Sequence, residues 1–230
     1  MSKAPPANAT LAPELQLHAE RGACLIAGID EVGRGALAGP VTIGVVVINL
    51  AELPAEVLTA GVWPVLDGVR DSKLLTPGAR TRWQPAICEH TSAHSVQHQA
   101  AEQIDEFGLT SALGAAGRAG LAEVEQRLGR SVEAVLLDGT HDWLTSGSDA
   151  RVSTMPKADL KSLTVACASV LAKVERDQLM QQLAAEHPAF GWDSNKGYGS
   201  RAHREAIQTQ GPTSYHRQSW NLGAPALPGL

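Results

Sequence analysis

The sequence is poor in several features that would assign it to familiar classes. It has three cysteines, Cys24, Cys88 and Cys167, far apart and odd in number. That spacing gives neither a disulfide framework nor a zinc pattern and predicts reduced thiols. Aromatic residues are scarce at 4%, so the core is expected to be aliphatic. No apolar run nears the roughly 18–20 residues of a membrane span. Met1–Ala12 lacks the basic start and apolar stretch of a secretory signal, and the expectation is a cytoplasmic protein with no membrane contact. A Gly-x-Gly-x-x-Gly fingerprint opening a helix is missing as well, which disfavours a small-molecule enzyme of that kind. Nor is there an excess of positive charge: the formal net charge is −5.

The charge is unevenly spread. Residues 1–150 carry 10 Lys and Arg against 18 Asp and Glu, whereas residues 151–230 carry 9 against 6. A basic C-terminal third on an acidic chain is either a surface fluctuation or a local phosphate-binding face.

At 230 residues the chain is long enough for one substantial core. Residues 1–20 read as a flexible N-terminal tail, 21–222 as one folded domain with a C-terminal helical extension, and 223–230 as a second flexible tail. Strands are expected at Cys24–Ile29, Val41–Ile48, Ser95–Ala100, Glu133–Leu137 and Arg151–Met155. Helices are expected at Thr81–His90, Ile104–Leu128, Leu160–Ala185 and Arg201–Gln208. A meander followed by strands alternating with helices implies an α/β fold around a central mixed sheet flanked by helices.

The densest chemistry lies in Ile29-Asp30-Glu31-Val32-Gly33-Arg34-Gly35. Two adjacent carboxylates end a strand, and two glycines flank an arginine just beyond. Asp138 ends another strand, and Asp159 precedes the longest helix. Strand ends of an α/β sheet gather at one edge, so Asp30 and Asp138 can face each other. Glu31 points to the other side of a regular strand and joins Asp30 only if the backbone bends. Taken alone, Asp159 also reads as a helix N-cap and Asp138-Gly139 as a turn. Taken together, converging carboxylates need a cation, and all-oxygen ligation suits Mg²⁺ or Mn²⁺. Two such ions activate water and stabilise the leaving oxygen of a phosphodiester.

Arg34 reads either as a surface turn residue or as a phosphate contact. The glycines at 33 and 35 let main chain approach a sugar and probe a 2′-OH. Lys173 and Arg176, one helical turn apart, are candidates for one basic face. Tyr198, in Lys196-Gly197-Tyr198-Gly199, is either a packing plug or a stacking platform. His216-Arg217 is a phosphate contact or a plain polar pair.

These stretches in order resemble the ribonuclease HII family. The matching pieces are Gly28–Gly35 with Ala38–Val41, Asp71–Leu74, Leu137–Gly139, Lys157–Asp159, Ala168–Asp177, Lys196–Gly199, and Gly211-Pro212 with His216-Arg217. They run from about residue 24 to 220. Arg70 and Leu74, flanking Asp71-Ser72-Lys73, depart from the family's pattern. The resemblance implies a ribonuclease H-like fold and cleavage of the RNA strand of RNA–DNA hybrids. It also implies incision 5′ of single ribonucleotides in duplex DNA, leaving a 3′-hydroxyl and a 5′-phosphate. By motif position Asp30, Glu31, Asp138 and Asp159 would be the metal-site acids for two ions, Mg²⁺ or Mn²⁺, with Asp30 shared. Gly33, Arg34 and Gly35 would read the 2′-OH, and Tyr198 would pack on the junction sugar. Lys73 and Lys173 are further candidate substrate contacts, and the expected state is a monomer.

Overall fold

A computed structural model describes residues 8–223; the rest of the expected tails lies outside the described residues. Five strands form one sheet: β1 (Leu25–Val32), β2 (Val41–Asn49), β3 (Ala93–Gln99), β4 (Ala134–Asp138) and β5 (Val152–Met155), in the order β3-β2-β1-β4-β5. β1, β2 and β3 are an antiparallel meander, while β4 runs parallel to β1 and β5 parallel to β4. The sheet is mixed, as expected. β2 is buried along its whole length, which is why it reads as an unbroken Val/Ile run rather than an alternating one.

The helices are α1 (Ala12–Arg21), α2 (Ala55–Ala60), α3 (Pro77–His90), α4 (Ala101–Phe107), α5 (Leu109–Leu128), α6 (Leu163–Glu186), α7 (Trp192–Asn195) and α8 (Arg201–Gln210). Alternation along the strands divides the core. Ile26, Val46, Ile48 and Leu136 pack with Val165, Ala166 and Val170 of α6 on one face. Ala27, Ile29, Val45 and Leu137 pack with Leu113, Ala116 and Val124 of α5 on the other. A third cluster joins Leu37, Met180, Phe190, Trp192 and Ile207, seating α7 and α8 on the far end of α6.

Two glycines set how closely α6 lies on the sheet. A Cβ on Gly28 would stand 2.3 Å from Thr164 Oγ1, and one on Gly44 would stand 2.2 Å from the Ala168 carbonyl oxygen. No side chain fits at either position, so the backbone of α6 rests directly on β1 and β2. Gly44 is the cross-strand partner of Asp30.

Four expected elements differ. Residues 12–21, expected in a loose tail, form α1, with Glu14 and Leu17 buried. The helix expected over Ile104–Leu128 is two helices, because Gly108 takes φ 79° and ψ 156° between them, a conformation that suits glycine. α3 starts at Pro77 with Thr76 as N-cap; proline is tolerated at N1, where its missing N–H is unpaired anyway. α6 starts at Leu163, with Ser162 accepting the Val165 N–H as N-cap. Asp159 therefore does not cap α6; it lies in a separate 3-10 turn, Ala158–Leu160.

Candidate active site

Strand pairing brings the acids together. Ile29 of β1 lies beside Leu137 of β4 as their last paired residues, so Asp30 and Asp138 follow side by side where the parallel pairing stops. Both share parity with residues facing α6, Gly28 in β1 and Leu136 in β4, and so project on that face. The Asp138 carboxylate accepts the Ala158 N–H at 2.6 Å, which draws the turn bearing Asp159 onto the same edge. Asp30 and Asp159 are only 3% and 6% exposed.

Glu31 is arranged differently. β1 stays paired with β2 through Val32, so no bend occurs at Glu31, and strand alternation starts it from the opposite face. Its Oε1 accepts from Arg34 at 3.1 Å, while its N–H donates to Asp30 Oδ1 at 2.8 Å. The structure thus gathers Asp30, Asp138 and Asp159 on one face, with Glu31 at the rim.

The electrostatics follow from this crowding. Burial, reinforced by Glu31, Asp138 and Asp159, holds the Asp30 carboxyl well above the ordinary aspartate range. Burial also raises Glu31, against the lowering effect of Arg34. Burial and the neighbouring Asp138 and Asp71 push Asp159 up to about 6. Each shift states that a negative charge is unwelcome here without a cation.

Part of that cation is Lys73. Its ammonium stands 3.5 Å from Asp159 and 3.8 Å from Asp71. Partial burial works against its charge, but Asp71, Asp30 and Asp159 outweigh it and hold its pKa above the usual lysine value. The Ser72–Leu74 turn that carries it is fixed from two sides. Ser169 of α6 and Ser72 share a hydroxyl hydrogen bond of 2.8 Å, and Arg80 of α3 donates to the Ser72 and Leu75 carbonyls.

The glycine-flanked arginine sits in a loop held by two buried guanidinium groups. Arg176 donates to the carbonyls of Pro40, Ala38 and Lys196. Arg217 donates to those of Gly33, Arg34 and Gly39. Gly33 has φ +84°, and a Cβ on it would lie 2.1 Å from Arg176 Nε, so the fold itself requires glycine there. Gly35 is different: it is exposed, with no positive φ and open space where a Cβ would be. Nothing among the described residues explains that glycine. Arg34 is exposed beside it.

Tyr198 is brought to this loop. The Leu37 and Ala38 N–H groups donate to the Gly197 carbonyl, and the Arg176 guanidinium lies 5.6 Å from the Tyr198 ring centroid. The ring remains 39% exposed. Behind it runs a buried relay. The Thr213 N–H donates to His216 Nδ1, so the proton of neutral His216 sits on Nε2 and points at His203 Nε2, 3.1 Å away. Trp192 Nε1–H donates to that same His203 nitrogen, leaving His203 Nδ1–H for the Tyr198 carbonyl at 2.9 Å. Burial lowers both histidines, His216 to about 4, which keeps the relay neutral.

Lys173 and Arg176 do not form one basic face. Lys173 pairs with Asp177 at 2.5 Å and lines a groove of about 510 Å³ with Arg80, Asp193 and Lys196, whereas Arg176 is fully buried. His216-Arg217 is a structural pair and touches no outer surface. The clamping roles of Arg176 and Arg217 were not visible in the sequence, because a buried arginine has no signature distinct from a surface one.

The donor set suits a hard divalent cation, all carboxylate oxygen. Among the described residues Asp30 Oδ2 and Glu31 Oε2 are buried without a hydrogen-bond partner, which fits oxygens able to take a cation. Among the described residues no three His, Cys, Asp or Glu side chains stand close enough to grip one ion as they are.

Known proteins resemble the chain in sequence and in fold. The sequence model of the family Ribonuclease HII matches residues 27–222. Ribonuclease HII of Streptomyces coelicolor is 41% identical over 207 residues, covering 90% of this chain and 81% of that protein. Among solved structures, the PCNA:RNase HII complex from Archaeoglobus fulgidus superposes with TM-score 0.65 at 28% identity, covering 88% of this chain and 98% of that one. The Mn²⁺ complex of Bst-RNase HIII superposes with TM-score 0.68 over 90% of this chain and 70% of that one; at 22% identity the likeness is one of fold.

Proposed function

The chain belongs to the ribonuclease HII family, metal-dependent endoribonucleases acting on the RNA strand of RNA–DNA hybrids, and from that premise we propose its finer chemistry. The enzyme incises 5′ of single ribonucleotides embedded in duplex DNA as well as within hybrids, leaving a 3′-hydroxyl and a 5′-phosphate. The observation that carries this reading is the pairing of two sites in one short segment. Asp30 and Glu31 lie among the last residues of β1, which ends at Val32, and Gly33-Arg34-Gly35 follows at once, with Tyr198 docked on the same loop.

In this reading Asp30, Glu31, Asp138 and Asp159 would hold two divalent cations, Mg²⁺ or Mn²⁺. When bound, such ions supply Lewis acidity, lowering the pKa of an attacking water and stabilising the leaving oxygen. The protein's own part is positional. Asp138 ties the Asp159 turn to the strand edge, and Lys73 holds Asp159 before substrate arrives and is then free to meet a phosphate. Gly35, without a side chain and facing open space, lets main chain approach a ribose closely enough to test for a 2′-OH. The Tyr198 ring, exposed on one side and backed by Arg176, is a platform for the sugar that follows the ribonucleotide. Lys173, in the groove beside α7, serves the flanking duplex.

The reading goes with a monomer in the cytoplasm. No helix among the described residues is long and apolar enough to cross a membrane, and Cys24, Cys88 and Cys167 are free. End-labelled hybrids and single-ribonucleotide duplexes incubated with Mg²⁺, Mn²⁺ or EDTA test it. Metal-dependent cuts at the ribonucleotide's 5′ side are expected; binding without cleavage of either substrate would make the chain a nucleic-acid binding module instead.

A further inference from the structure

The segment ahead of β1 lies outside the span matched to the family, residues 27–222, yet it is bonded to both loops that meet at the acid cluster. On one side Asn8 Nδ2 donates to Asp67 at 2.9 Å and the Ala9 N–H to the Val69 carbonyl at 3.2 Å. That chain leads directly into Asp71-Ser72-Lys73. On the other side the Thr10 N–H donates to the Lys161 carbonyl, and the Leu163 N–H to the Thr10 carbonyl, both at 2.9 Å. Those bonds flank the start of α6, directly after the turn that carries Asp159. Ala9 and Leu11 are buried in the same core cluster as Val69, Ala158 and Leu163.

Glu14 is the unusual member. It is fully buried in α1, and its Oε1 accepts from Ser162 Oγ at 2.6 Å, Thr164 Oγ1 at 2.7 Å and the Thr164 N–H at 2.8 Å. Oε2 has no partner. An apolar residue would fill this space without the desolvation cost of a carboxyl, a cost that burial expresses by raising its pKa. What the carboxyl adds is direction: one oxygen fixes three donors in the first turn of α6.

We propose that residues 8–17 are a strut that sets the distance between the Lys73 loop and the Asp159 turn, with Glu14 as its positioning residue. Lys73 and Asp159 meet at 3.5 Å across the two loops, so a loosened strut misplaces one metal-site acid without touching the others. The proposal rests on the reading of Asp159 as a metal-site acid. Side chains that orient metal-binding groups typically change metal affinity or activity about 10–100-fold when removed.

The test compares full-length wild type, Glu14→Ala and Glu14→Gln. Mn²⁺ affinity is followed by the electron paramagnetic resonance of free Mn²⁺, kcat and KM on a single-ribonucleotide duplex, and folding by circular dichroism. Glu14→Ala should weaken Mn²⁺ binding and lower kcat by about 10-fold or more, with KM for the duplex changed by less than about 2-fold. Glu14→Gln, which keeps the accepting oxygen, should stay within about 3-fold of wild type. A folded Glu14→Ala protein with wild-type Mn²⁺ affinity and kcat overturns the strut. Should Glu14→Ala not fold, Thr164→Val removes one of the three donors at nearly constant volume. A loss of about 3-fold in Mn²⁺ affinity is then expected, and no loss overturns the proposal. Wild type that binds Mn²⁺ but cuts nothing would sink the functional reading and leave the strut to be decided by Mn²⁺ affinity. Wild type that binds no Mn²⁺ overturns both.

Discussion

Replacing Asp159 by asparagine should stabilise the metal-free protein while abolishing its activity. The carboxyl is 6% exposed, and burial with Asp138 and Asp71 lifts its pKa from 3.8 to about 6 despite the nearby Lys73. At 1.36 kcal/mol per pKa unit, ionised Asp159 costs the metal-free fold at most about 3 kcal/mol. Asparagine keeps part of the burial cost, so a gain of about 1–3 kcal/mol is expected, at roughly 2–4 °C in Tm per kcal/mol for a chain of this size. The pH dependence has a definite sign. Below pH 3.8 the group is protonated in both folded and unfolded states and contributes nothing. Between 3.8 and about 6 the wild type loses stability as the pH rises, and above about 6 the deficit is complete. Thermal melts in EDTA from pH 4 to 8 should show the variant's advantage growing from near zero to its full value by pH 7. Added Mn²⁺ should raise the Tm of wild type and do less for the variant. A variant that is less stable than wild type in EDTA at pH 7.5 would refute the reasoning and make Asp159 a structural residue.

Two further substitutions separate clamp from reader. Arg217→Met removes the donors to the Gly33, Arg34 and Gly39 carbonyls and should cost about 2–4 kcal/mol in thermal unfolding. It should also lower incision of a single-ribonucleotide duplex more than cleavage of an all-RNA hybrid; equal losses would mean that this loop does not read the junction. Tyr198→Ala should cost only about 0.5–1 kcal/mol of stability, the worth of an exposed cation–π contact. Its incision of single-ribonucleotide duplexes should fall about 10-fold, on the scale of one lost stacking platform. A large fall in Tm with little loss of incision would make the ring a packing plug.

The elements legible in the sequence were those where local pattern and tertiary environment agree. β2 reads as a buried strand because it is buried on both sides, and β1 because its apolar residues lead straight to Asp30. Asp138 could be matched with Asp30 because strand ends of an α/β sheet share an edge. Three features were not legible. α1 looks like tail because Ala, Pro and polar residues dominate its sequence; its place is decided by Glu14 meeting Ser162 and Thr164, about 150 residues away. The break at Gly108 competes with glycines at 114, 117 and 120, which the helix absorbs because they face close neighbours: Trp143 at Gly114 and Gly117, and Val45 at Gly120. The third is the fate of the cations. Lys173 and Arg176 have suitable spacing for one basic face, yet Asp177 takes the first, and the carbonyls of the 33–40 loop and of Lys196 take the second. The offset of Glu31 is the converse case. Alternation sends it to the face opposite Asp30, and the strand keeps its pairing past that point, so the carboxylate reaches the cluster from the rim.

The proposed function joins a metal-dependent acid cluster to a reader of the ribose 2′-OH in one short segment. The most direct measurement is mapping the cut in a DNA duplex carrying one ribonucleotide, with Mn²⁺ or Mg²⁺ and with EDTA as control. A single metal-dependent incision at the 5′ side of the ribonucleotide is expected, with none in the matched all-DNA duplex. Equal cutting of the all-DNA duplex, or no cutting of the ribonucleotide-containing one by folded, metal-bound protein, would contradict it.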